Sequence, residues 1–136
     1  MNAPTAQPEA SSTNTTLQFP KIGSAFDGGT YAGLIRGVGD QPDQHLVLLA
    51  DEADSINWNA ALEFAAAAGG ELPTRREQAL LFANLPEHFK RDWYWSCEQH
   101  AGYADYAWYQ GFGNGYQSTG HKSAAGRARA VRRLPI

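Results

Sequence analysis

WYWSCEQHAGYADYAWYQGFGNGYQS, residues 93–118, carries nine aromatic residues in 26 positions and no Val, Ile or Leu. The rest is largely Gly, Ala, Ser, Asn, Gln and His. An ordinary core strand draws on β-branched and aliphatic residues, so this segment reads as part core and part display. In an extended chain, alternate side chains face opposite ways. Trp108 and Phe112 then share one face, Tyr109 takes the other, and Trp93 and Trp95 lie together. Strands are expected over 93–98, 107–112 and 115–118, and Gly113-Asn114-Gly115 is a short-hairpin signal joining the last two. A further strand over 128–134 completes an expected antiparallel meander.

Upstream, the period changes. TYAGLIRG from Thr30 and HLVLLA from His45 read as two strands of a hairpin with a turn-rich loop. DEADSINWNAALEFAAAAGG places Trp58, Ala61, Leu62 and Ala65 at helical spacing, and Gly69-Gly70 ends that helix. In LPTRREQALLFANLP, Thr74 and Glu77 form a capping box: the threonine oxygen accepts from the Glu77 amide and the glutamate reaches back. Leu80, Leu81 and Leu85 follow, and Pro86 stops the run. Strands, two helices, then strands again define an α+β fold, two helices packed on short antiparallel strands.

The chain has 136 residues, enough for one domain with a real core. Residues 1–18, rich in Pro, Ala, Ser, Thr, Asn and Gln, are expected to be an extended N-terminal arm preceding a domain over 19–136. Such a segment has little to bury, so it is either a plain tail or an arm that orders against another subunit. A net charge of -3 gives no general reason to bind nucleic acid or an anionic membrane, and no apolar run approaches the length needed to span a bilayer, so no membrane insertion is expected. The N-terminus lacks the basic start and apolar stretch of a signal peptide, which predicts a protein made in the cytoplasm. Cys97 is the single cysteine, so an intramolecular disulfide and a cysteine-based metal cluster are excluded.

Little in the sequence suggests catalysis. His45, His88, His100 and His121 lack the spacing of metal ligands, and neither metal nor cofactor is expected. Cys97 and His100 stand three apart, yet a buried structural thiol explains Cys97 more simply. Glu98 and Asp105 have no spacing that would pair them, Ser96 lacks a nucleophile-elbow context, and Gly37-Val38-Gly39 lacks the strand-to-helix setting of a phosphate loop. The basic C-terminus carries Arg127, Arg129, Arg132 and Arg133 among alanines. Some of these arginines are expected to pair with carboxylates of the two acidic helices rather than with nucleic acid. Tyr103, Tyr106 and Tyr116 sit in loop contexts beside small polar residues, the palette of binding loops. They read either as a display surface or as cover for the domain's edge.

Four motifs extend this reading. GGELPTRREQALL resembles the "RLPT-x-x-E" helix start of the C-type-lectin-like superfamily. YWSCEQ, AWYQGFGNGYQS and RARAVRRL resemble the "YWSSTE", "AWYVNFSNG" and "VRCVR" series of the domain that ends collagen-like bacterial adhesins, a family found in bacteria, phages and prophages. The resemblance spans Gly28 to Leu134 and implies a C-type-lectin-like fold in which the tryptophans and Phe112 are core and Arg129 and Arg132 are structural. That fold is similar to those of formylglycine-generating enzymes and of phage retroelement variable proteins. The former need a cysteine pair, so their oxidase activity does not carry over. Calcium-dependent lectin motifs are absent as well. The resemblance thus implies a non-catalytic binding domain, a phage or prophage virion protein acting as receptor-binding tip or decoration. It would recognise a protein or glycan through His100, Tyr103, Tyr106, Asn114, Tyr116 and Gln117. A host-directed phage effector and a degenerate sulfatase-modifying-type enzyme are the alternatives.

Overall fold

The computed structural model describes residues 19–136; the expected arm over 1–18 lies outside them. The fold is mixed α and β, with a seven-stranded sheet and two helices. In chain order the elements are β1 (Ala25–Phe26), β2 (Gly29–Ile35), β3 (Gln44–Ile56), α1 (Trp58–Ala67), α2 (Arg75–Asn84), a 3-10 turn (Pro86–His88), β4 (Trp93–Gln99), β5 (Tyr106–Gly111), β6 (Gln117–His121) and β7 (Gly126–Pro135).

The strands line up as β1-β2-β3-β7-β4-β5-β6. β4, β5 and β6 form the expected antiparallel meander. β7 does not continue it. It runs antiparallel to β3 in the middle of the sheet and meets β4 as a parallel neighbour at Tyr94 and Arg127. Burial explains the correction: Ala128, Ala130 and Val131 are all inaccessible to solvent, and a strand buried on both faces belongs at the centre of a sheet rather than its edge. Gly126 lets β7 pass close to the indoles, since a Cβ there would lie 2.5 Å from the Trp93 ring.

β3 runs further than its apolar stretch, through the acidic residues Asp51 to Asp54. Its second half holds on to β7 through Glu52–Arg129 and Ala53–Ala128 register pairs, interrupted by bulges. α1 therefore starts only at Trp58, where the Asn57 side chain accepts from the Ala60 amide. The capping box of α2 is present in full, with Glu77 N–H donating to Thr74 Oγ1 at 3.2 Å and Thr74 N–H to Glu77 Oε1 at 2.8 Å. The Gly113-Asn114-Gly115 turn is wider than a two-residue hairpin. Gly111 N–H reaches Tyr116 O and Asn114 Oδ1 takes the Tyr116 amide, which moves β6 on to 117–121.

Alternation along β3 builds two cores. Val47 and Leu49 join Trp58, Ala61 and Ala65 of α1 with Trp95, Ala128 and Ala130. Leu46 and Leu48 join Leu81 and Leu85 of α2 with Tyr94, Phe112 and Val131. The helices thus cover opposite faces of the sheet. Among the described residues, no helix is long and apolar enough to cross a membrane.

Candidate functional site

The meander leaves its outer end uncovered by either helix, and the loops there carry rings. His100, at the end of β4, turns the chain. Its Nδ1 accepts from the backbone N–H groups of Gly102 at 2.9 Å and Tyr103 at 3.1 Å. A backbone bond from His100 N–H to Tyr106 O closes the loop. The loop is thereby pinned by its main chain, and its side chains are left to solvent: Tyr103 is 67% exposed and Tyr106 39%. Their rings meet edge to face at 6.3 Å, and His100 lies against Tyr103 at 5.0 Å. His121 of β6 adds an edge contact with Tyr106, and Thr119 completes an open depression of about 270 Å³ with His100, Tyr103 and Tyr106.

The six expected site residues do not form one surface. Asn114 and the 74% exposed Tyr116 line a separate cleft with Arg91, Trp93 and Tyr109. Gln117 lies in a third, of about 600 Å³, with Arg75, Arg76, Phe82 and Glu98. The register pairs Trp108 with Thr119 and Gln110 with Gln117, which puts this third cleft on the same sheet face as the tyrosine depression. Trp108 links the two.

That position corrects an expectation. Trp58, Trp95 and Phe112 are buried, but Trp93 and Trp108 are only partly so. Trp108 has the guanidinium of Arg75 over its ring at 3.5 Å and the imidazole of His100 parallel to it at 5.9 Å. Arg75 was hidden from a sequence reading because the first turn of a helix explained it fully. Only its distant packing against the indole shows otherwise.

The residues weighed as catalytic candidates have other partners. The thiol of Cys97 is pushed up to about 11, chiefly by burial, so it stays neutral at ordinary pH. The Nδ1 of His100 is occupied by backbone donors. Ser96 Oγ donates to Trp108 O, and Glu98 Oε2 accepts from Arg75 N–H rather than approaching Asp105. No group of three His, Cys, Asp or Glu residues suited to a metal ion occurs among the described residues.

The C-terminal arginines do pair with carboxylates, although helices supply few of them. Arg133 forks onto buried Glu77 of α2, at 2.5 and 2.8 Å, and onto Glu71. Those hydrogen bonds, Glu77 first, hold the Arg133 guanidinium well above its ordinary range. Arg127 meets Asp92 and Glu52, both at 3.0 Å, and its hydrogen bond is the main reason Asp92 lies below the usual carboxylate range. Arg132 pairs with Asp27 at 3.1 Å. Arg129 is buried and donates to Leu49 O and His88 O. Arginines engaged in this way are structural.

No family model matches the chain, and no curated protein is significantly similar to it.

Proposed function

We propose that this chain is a non-catalytic binding domain of C-type-lectin-like fold, made by a phage or prophage in the bacterial cytoplasm and carried on the virion as a receptor-binding tip or decoration. It binds a protein or surface glycan through the loop cluster of His100, Tyr103 and Tyr106. The observation that carries the reading is the pinned loop: Tyr103 is 67% exposed although its own amide is bonded to His100. Rigid rings of this kind bury much area on contact while freezing few rotors. A ring that merely covered the edge of a core would have apolar neighbours, and Tyr103 has Ala104, Asp105 and Gly102. The four sequence motifs and their order support the fold assignment. Residues 1–18 serve as the arm that docks on another subunit.

Purified, labelled domain should bind saturably to the envelope of a susceptible bacterium. The Tyr103→Ala, Tyr106→Ala pair should weaken that binding by about 30-fold or more, the cost of losing one true anchor of about 2 kcal/mol. A doubly substituted protein with native circular dichroism that binds like wild type would make the rings edge cover. Deleting residues 2–18 should leave the melting temperature unchanged and remove the protein from purified virions.

A further inference from the structure

The cleft beside the tyrosine cluster holds an arginine prepared for a ligand. Arg75 Nε donates to Gln117 Oε1 at 3.2 Å, and its guanidinium carbon lies 3.5 Å from the centre of the Trp108 ring. The same Gln117 fixes the backbone of Arg75 by donating to its carbonyl at 2.7 Å, and is itself held by Gln110 at 3.0 Å. Two sides of the guanidinium are thus fixed. Among the described residues, neither Nη has an acceptor and no carboxylate pairs with Arg75. This differs from Arg127, Arg132 and Arg133, each of which meets a carboxylate. An arginine already immobilised loses little freedom when it forms a bidentate pair.

The surroundings narrow the ligand. Phe82 supplies an apolar wall. Gly115, at φ +80°, leaves that ring room, since a Cβ there would lie 2.8 Å from it. Arg76 adds a second cation, bonded to Arg36 O but to no described carboxylate. Glu98 spends Oε2 on the Arg75 amide and keeps Oε1 as a free acceptor among the described residues. Two cations and one carboxylate leave the cleft one charge positive. It therefore offers a planar fork for an anion, an acceptor for a hydroxyl and a flat apolar wall.

We propose that this cleft is a calcium-independent seat for an acidic sugar. The uronate carboxylate sits on the Arg75 fork, a ring hydroxyl donates to Glu98, and a C–H face lies on Phe82. A peptide carboxylate satisfies the fork but brings no hydroxyl for Glu98. The site is distinct from the tyrosine depression, and it stands or falls without it.

The test follows the Nε–H resonance of Arg75 and the indole N–H of Trp108 in ¹H–¹⁵N spectra of the whole chain, assigned with Arg75→Lys and Trp108→Phe. The probes are sodium glucuronate, glucose, sodium sulfate and N-acetyl-aspartate amide at constant ionic strength. Glucuronate should shift both resonances saturably, with half-saturation about tenfold lower than for the aspartate derivative, equivalent to about 1.4 kcal/mol. Glucose should shift neither. Arg75→Lys, folded by circular dichroism, should lose the response, and Gln117→Ala should weaken it by releasing the fork. Equal binding of the aspartate derivative would reassign the cleft to acidic peptides. An equal response to sulfate would reduce it to a general anion site. No saturable shift with glucuronate, or an undiminished response from Arg75→Lys, would remove it altogether.

Discussion

Two clusters of rings, drawn partly from the same short segment, are held in opposite ways. Phe112 stacks on Phe89 at 3.9 Å and meets Tyr94 and Phe82 edge on, with Leu81, Leu85 and Val131 closing around them. Even the Tyr94 hydroxyl is used, accepting from Lys90 N–H and donating to Glu52. At the other end of the meander, Tyr103, Tyr106 and His100 meet one another, His121 and the face of the partly exposed Trp108, with no aliphatic side chain in their depression. The loop's order comes from the backbone amides bonded to His100 Nδ1, so the two tyrosine rings should be replaceable without unfolding it. Aromatic content therefore does not define a core. A core needs aliphatic neighbours on the far side of each ring, and a display surface needs a loop whose main chain is satisfied without its side chains.

Trp95 and Trp108 carry that contrast furthest. Trp95 is fully buried and its indole N–H donates to Ile56 O at 3.0 Å. Trp95→Ala should cost about 3–5 kcal/mol, through lost contacts and the cavity left behind. Trp108→Ala, at a partly exposed ring, should cost roughly 1–2 kcal/mol. Urea denaturation of both variants reads the gap directly, and equal midpoints would mean that Trp108 belongs to the core.

Glu77→Ala probes the buried ion pair beneath α2. It strips Arg133 of its main partner and the Thr74 amide of its acceptor, and should cost about 3 kcal/mol because an uncompensated cation stays inside. A loss under about 1 kcal/mol would show that Glu71 alone satisfies the guanidinium.

These cases mark what was legible in the residues themselves. The capping box was, because Thr74 and Glu77 are three apart and their geometry is local. So was the cluster of His100, Tyr103 and Tyr106, which chain proximity alone brings together. The central place of β7 was not, since strand order depends on contacts far apart in sequence and its arginines look like a solvent-facing edge until Glu52 and Asp92 are set beside them. Acidic residues 51–54 hid the second half of β3 for the same reason. Arg75 on Trp108 was hidden twice over, because helix capping accounted for one residue and core packing for the other.

Alkaline pH should act on the buried half only. Burial chiefly raises Cys97 from 9.0 to about 11 and Tyr94 from 10.0 to about 12. The folded chain keeps these protons while the unfolded chain releases them. Stability is thus full below about pH 9 and falls progressively as pH rises towards 12. Cys97→Ser removes the earlier part, so the fall should begin nearer pH 10, the ordinary range of Tyr94. Denaturant midpoints measured from pH 8 upward check this, and a curve unchanged by Cys97→Ser would mean that the thiol ionises freely when folded.

Thr74→Ala isolates one half of the capping box. The Glu77 amide loses its acceptor while the Glu77 carboxylate can still reach the Thr74 amide and Arg133. The expected cost is about 1 kcal/mol, smaller than that of Glu77→Ala because no buried charge is left unpaired. Equal costs for the two variants would place the whole effect in the cap rather than in the ion pair.

The smallest change is expected where the rings are most visible. Tyr103→Ala removes a 67% exposed side chain whose ring meets those of His100 and Tyr106, and it leaves in place the Tyr103 amide, the group that the loop uses. Tyr116→Ala likewise spares the Tyr116 amide bonded to Asn114 and the Tyr116 carbonyl bonded to Gly111. Each variant should unfold within about 0.5 kcal/mol of wild type, the range of surface substitutions away from structural features. His100→Ala supplies the internal control, because it removes the acceptor for two backbone amides and so loosens the loop itself. Amide hydrogen exchange should then rise at Gly102 and Tyr103 in His100→Ala and stay at wild-type rates in Tyr103→Ala. If Tyr103→Ala instead frees those amides or lowers the melting temperature clearly, the ring holds the loop in place, and the two clusters differ only in exposure and not in how they are built.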